Sequence, residues 1–179
     1  MTISVRDQQT LLFDAGYNPG PIDGQWGPKT QAAYRSWRDD KFGSAPIGSV
    51  DIPGGEKLDG VHPSLVRIFQ RAFAISDVPF QILEGVRSIE RQKQLVARGA
   101  SQTMRSRHLR ATNGFGHAVD AAPLENGNIS WNWALYYPLA DAIKKAAGDE
   151  GVPVEWGGDW KSFKDGPHWQ LPWDQFPGT

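Results

Sequence analysis

The chain has 179 residues, a formal net charge of -1, a hydrophobic share of 39% with 8 Trp and 8 Phe, and no cysteine. This length and apolar content support one domain of ordinary size plus a small one, and they exclude a disordered or membrane-inserted chain. Scattered Lys and Arg leave no electrostatic footprint for nucleic acid, and the lack of cysteine excludes disulfides, thiolate metal sites and a Cys nucleophile.

Residues Met1 to Gln8 show no charged start followed by an apolar run, so no Sec signal is expected. From Val5 to Phe13 the apolar positions Val5, Leu11 and Leu12, with Ala15 following, fit one helical face, and Gly16 is its stop. A turn-rich loop, Tyr17 to Gly24, leads to Pro28 at the first position of a second helix whose buried side is Ala32, Ala33, Tyr34 and Trp37. So small a core depends on large aromatic side chains, here Trp26 and Trp37. Residues 1–42 therefore read as a small helical domain, and 43–57, rich in Gly, Pro and Ser, as a linker.

The second domain is expected over 58–179. Leu65, Ile68, Phe69, Ala72 and Phe73 recur at helical spacing after Pro63, and Phe80 to Glu84 alternates as a strand. Ser88 caps a helix carrying Ile89, Gln92, Leu95 and Val96 that stops at Gly99. His117 to Ala122 reads as a strand with Ala118 and Asp120 on one face and His117, Val119 and Ala121 on the other. Trp131 to Ala147 is the longest helical pattern, with Gly148 as its stop, and Val154 to Trp156 and His168 to Leu171 read as strands. Helices and strands mixed without regular βαβ repetition indicate an α+β fold with a small antiparallel sheet flanked by helices.

The chemistry-bearing residues gather late in the chain. His108, Asp120 and His168 offer two imidazoles and a carboxylate, the donor set of a one-metal hydrolase that leaves a further position open. Asp165, three residues before His168, is placed to act as general base. Glu155 is a rival base and His117 a rival ligand. The strand alternation favours His108, because His117 points away from the face that carries Asp120. Ser106 is expected to orient the site, since no Ser-His-Asp order supports a nucleophilic serine. His62, next to Pro63, reads as a satisfied core residue.

Two stretches resemble known families. Ser106-x-His108, Gly116-x-Ala118-x-Asp120 and an acid three residues before a final His are similar to the zinc peptidases of the D-Ala-D-Ala carboxypeptidase and VanY type. Within that group the likeness is to phage endolysins that cut the L-alanyl-D-glutamate bond of peptidoglycan and carry Asp where the dipeptidases carry Glu. The resemblance implies Zn2+ held by His108, Asp120 and His168, Asp165 as catalytic acid-base residue, and Arg87 facing the substrate carbonyl or carboxylate. One departure is the segment Leu109 to Phe115, which lengthens the family's first block by about five residues, an insertion that a surface loop absorbs at small entropic cost. The N-terminal stretch, with Gln8, Leu12, Gly16-Tyr17, Gly20-x-Ile22-Asp23-Gly24-x-Trp26-Gly27-Pro28-x-Thr30, Ala33 and Trp37, resembles a three-helix peptidoglycan-binding domain. Together these imply a monomeric endolysin that waits in the host cytoplasm, reaches the wall through a holin pore, binds peptidoglycan and inserts into no membrane. A D-alanyl-D-alanine carboxypeptidase or dipeptidase, and a wall-binding protein without activity, are the competing expectations.

Overall fold

The computed structural model describes residues 4–177 except 26, 28, 31, 35 and 38–51. The chain divides into two compact units, Met1–Ser49 with Pro172–Gly178, and Val50–Leu171. Trp26, Pro28 and residues 43–51 of the expected linker lie outside the described residues.

In the first unit α1 spans Val5–Asp14, and Ser4 opens it through a reciprocal cap with Asp7. Its buried residues are Val5, Gln9 and Leu12, whereas Leu11, expected inside, is 57% exposed. The difference has a polar cause. The following loop turns several acceptors inward, and the Gln9 amide nitrogen lies 3.0–3.1 Å from Pro21 O, Asp23 Oδ1, Gln25 O and Thr30 Oγ1. Its carbonyl oxygen accepts from Gly24 N at 2.8 Å. A second helical stretch, α2, has its described residues at 29, 30, 32–34, 36 and 37. There Thr30, Ala33 and Tyr34 are buried, while Ala32 faces solvent, against expectation.

The second unit is built on an antiparallel sheet in the order β1-β2-β5-β4: β1 Phe80–Glu84, β2 Ala118–Glu125, β5 His168–Gln170 and β4 Glu155–Trp156. The short β3, Asn128–Ile129, hairpins onto β2. The register of β1 on β2 shifts between Ile82 and Glu84. Helix α3, Pro63–Ile75, buries Leu65, Ile68, Phe69 and Ala72, and it starts at His62, whose Nδ1 accepts from Ser64 N at 3.3 Å. Helix α5, Trp133–Asp149, packs against α3. Asn132 caps α5, so Trp131 falls outside it and is 63% exposed. The helix also runs through Gly148, because buried Glu150 just past its end is held by Arg67 Nε at 3.1 Å and Arg71 Nε at 2.8 Å. Helix α4, Ile89–Ala97, is capped by Ser88 but buries Gln92 and exposes Ile89. Residues 52–57, expected in the linker, belong to the second unit: Ile52 is buried, and Pro53 O accepts from Ile82 N at 2.8 Å. Among the described residues no helix is long and apolar enough to cross a membrane.

Candidate metal and catalytic site

The sheet register places the first two donors. Asp120 on the central strand β2 stands opposite Glu84 on β1 and His168 on β5, so one row of residues crosses three strands on one face. His108 comes from the loop between α4 and β2. Its carbonyl accepts from Arg87 N at 2.9 Å, its own N–H donates to Ser106 Oγ at 3.3 Å, and its Nδ1 lies 2.7 Å from Gly85 O. Gly85 has no alternative here, because a Cβ would come within 1.9 Å of Lys57 O.

Three donor atoms converge. His108 Nε2 and His168 Nδ1 are 3.3 Å apart, and Asp120 Oδ1 is 3.2 Å from each. The outward nitrogens are both engaged with acceptors: His108 Nδ1–H donates to Gly85 O, and His168 Nε2–H donates to Gln170 Oε1 at 3.0 Å. Each ring therefore turns a lone pair inward. Two imidazole lone pairs and a carboxylate facing one another call for a cation. Bonds of about 2.0–2.1 Å in a tetrahedral site put ligand atoms about 3.3 Å apart, so this donor triangle fits such an ion without rearrangement. His108, Asp120 and His168 could hold a metal ion, and among the described residues no other group of His and carboxylates does so.

The electrostatics agree with that chemistry. Burial pushes the Asp120 carboxyl up, but His108 and His168 outweigh it and hold Asp120 well below the usual carboxylate range. For His168, burial acts downward and the hydrogen bond and charge of Asp120 win, so its pKa is raised. Asp165 sits in the turn before β5, its N–H bonded to Gly157 O at 3.0 Å and its carbonyl accepting from His168 N at 3.3 Å. Burial, then the Asp120 charge, raise its pKa against the opposing pull of His168, His108 and Arg87. Gly157 allows the turn to close, since a Cβ there would stand 2.5 Å from Asp165 O.

The remaining candidates are placed differently. Arg87, expected to face the substrate, engages its terminal nitrogens with Glu84 and with Gln92 Oε1 at 2.7 Å, and lies 3.5 Å from Asp120 Oδ2. It is thereby an ion-pair partner of the Asp120 carboxylate. Glu155 accepts from Gln170 Nε2 at 2.6 Å and does not join the donor triangle. His117 turns to the opposite side of β2, where its ring meets His62 edge-on at 5.2 Å and its Nε2 lies 2.9 Å from Asn113 Nδ2 and 3.3 Å from Asn113 Oδ1. The inserted loop is tied at both ends: His117 N donates to Arg107 O at 2.7 Å, Gly116 N to Gly60 O at 2.9 Å and Ala111 N to Phe115 O at 2.9 Å.

Three residues with no local sequence signal also border the site. Tyr136 is 3% exposed, its hydroxyl has no hydrogen-bond partner among the described residues, and burial followed by the charges of Asp165 and Asp120 push it up to about 12, so it stays a neutral donor. Trp160 lays its ring on His168 at 5.1 Å. Gln170 completes the group through its bond to His168 Nε2.

The family described as phage L-alanyl-D-glutamate peptidase matches residues 52–170. The L-alanyl-D-glutamate peptidase of Escherichia phage T5 is 30% identical over 114 residues, spanning 62% of this chain and 80% of that protein. The peptidoglycan L-alanyl-D-glutamate endopeptidase CwlK of Bacillus subtilis is 26% identical over 129 residues, covering 68% and 77% of the two chains. Among solved structures, the L-Ala D-Glu endopeptidase ChiX of Serratia marcescens superposes with a TM-score of 0.64 at 43% identity, over 74% of this chain and 100% of that one. With its peptidase fold and a donor triangle inside the matched segment, the chain belongs to the phage L-alanyl-D-glutamate peptidase family.

Proposed function

We propose that this protein is a zinc-dependent endolysin that hydrolyses the L-alanyl-D-glutamate bond of peptidoglycan stem peptides. The observation that carries the reading is the closed triangle of His108 Nε2, Asp120 Oδ1 and His168 Nδ1, with both outer imidazole nitrogens already bonded. When bound there, zinc supplies Lewis acidity toward a carbonyl and toward water. Asp165 takes a proton from the attacking water as the new C–O bond forms, and returns it to the amine nitrogen as the C–N bond breaks. Its raised pKa suits both halves of that transfer. Arg87 and Ser106 hold Asp120 and the His108 loop in place for this step.

The first unit serves as a wall-binding module that raises the local concentration of the peptidase on an insoluble substrate. The protein acts as a monomer on the cell wall, which it reaches from the host cytoplasm through a holin pore, and it has no nucleic-acid partner. Mass spectrometry of digested sacculi tests the bond assignment. New D-glutamate N-termini that vanish after chelation and return with zinc are expected. Release of C-terminal D-alanine without new D-glutamate ends would overturn it in favour of a carboxypeptidase.

A further inference from the structure

The ligand histidine on β5 does not end the hydrogen-bonded chain. His168 and Gln170 lie two residues apart on one face of β5, and the register sets Glu155 of β4 directly opposite Gln170. His168 Nε2–H donates to Gln170 Oε1 at 3.0 Å, and Gln170 Nε2 donates to Glu155 Oε2 at 2.6 Å. An amide has one accepting and one donating end, so the two bonds depend on each other. A carboxylate can only accept, which forces the nitrogen of Gln170 toward Glu155 and its oxygen toward His168. That oxygen in turn requires the proton of His168 on Nε2 and leaves the lone pair on Nδ1, the atom 3.2 Å from Asp120 Oδ1.

We infer that Gln170 and Glu155 form a relay that fixes the tautomer and orientation of His168, making Glu155 a positioning residue for the metal centre. The inference rests on His168 being a zinc ligand. Gln170 is 6% exposed and its amide is enclosed by the two partners, so a polar residue at this depth has a defined task rather than a solvated one. The negative end of the relay also makes the imidazole a stronger donor, because a hydrogen bond to a charged group is shorter and stronger than one between neutral groups. The sheet is what assembles the relay: one residue of slip between β4 and β5 turns Glu155 to the other face.

The test uses the full chain, with zinc affinity measured by competition against a chromophoric chelator and ring ¹⁵N shifts of His168 recorded in the metal-free protein at alkaline pH, because Asp120 favours the protonated ring. Gln170→Met keeps the volume and removes both bonds, so zinc binding is expected to weaken about 10- to 100-fold, the usual loss for an outer-shell partner of a metal ligand. The His168 ring should then change from the single Nε2–H tautomer to a mixture. Glu155→Met should cause a smaller loss, and Glu155→Gln, which still accepts from Gln170, should restore part of it. The Glu155→Met/Gln170→Met double variant should bind zinc no more weakly than Gln170→Met alone, because Glu155 acts only through Gln170. Additive losses, or unchanged affinity and tautomer in Gln170→Met, overturn the relay. Zinc retained by His168→Ala overturns the ligand assignment itself, which separates the two failures. Thermal unfolding of each variant shows whether the fold persists, and a Gln170→Met protein that does not fold shifts the decision to the Glu155 series.

Discussion

His62 should make the second unit acid-sensitive. Its ring is buried at the start of α3, packed edge-on against His117, and burial first, then the charges of His117, Arg67 and Arg107, lower its pKa from 6.5 to about 3. The sign follows from linkage. The unfolded chain takes up a proton at this site as pH falls through 6.5, the folded protein refuses it until about 3, and stability is lost throughout that window. Between pH 7 and pH 5 the loss from this one residue is roughly 2 kcal/mol. His62→Asn keeps a side-chain acceptor for Ser64 N and removes the titration. Urea unfolding at the two pH values, followed through NMR signals of α3 and β2, should show the variant losing about 2 kcal/mol less than the parent. Any packing defect lowers the variant equally at both pH values, and Asp120, Asp165 and His168 are common to both proteins. Equal pH slopes for parent and variant would refute the reasoning.

Three further outcomes are expected. Asp165→Asn should keep zinc content and fold while the rate falls about 10²- to 10⁴-fold, as checked by elemental analysis beside a muropeptide assay. His108→Ala should lose both zinc and activity, whereas His117→Ala should retain zinc, since its ring lies on the far side of β2 with His62 and Asn113. Gly157→Ala puts a methyl 2.5 Å from Asp165 O and 3.1 Å from His168 Cβ, so the turn must move and turnover should drop by about a hundredfold, with zinc affinity lowered as well, as checked by a muropeptide assay beside chelator competition.

The helices and strands of the second unit were legible where one period dominated. The i, i+3, i+4 run from Leu65 to Phe73 marks α3, and alternation through Asp120 separates His117 from the face that meets His168. What local pattern could not show were polar residues whose partners lie far along the chain. Gln9 and Gln170 look like surface glutamines, yet each is buried because a loop or strand presents it with acceptors and donors. Arg107, buried with its guanidinium on Leu171 O at 2.6 Å, is the same case at long range. Leu11 and Ile89 failed in the opposite sense, since an apolar residue can sit at the surface at little cost while an unpartnered amide cannot be buried. The partners of Arg87 were likewise not legible, because Glu84, Gln92 and Asp120 reach its guanidinium from separate elements.

The tied ends of the 109–115 loop bear on how related chains are recognised. The bond from His117 N to Arg107 O pins the neck of the loop beside His108, so residues can be gained or lost beyond the neck while the distance from His108 to Asp120 stays the same. Spacing between these two donors is then a drifting character, and a search pattern written with a fixed gap would pass over this chain and others like it. A pattern anchored on Gly116-x-Ala118-x-Asp120 and on Asp165-x-x-His168 would keep them, because Ala118 and Asp120 pair with Gln170 and His168 across the sheet and the turn from Asp165 closes directly on His168 N.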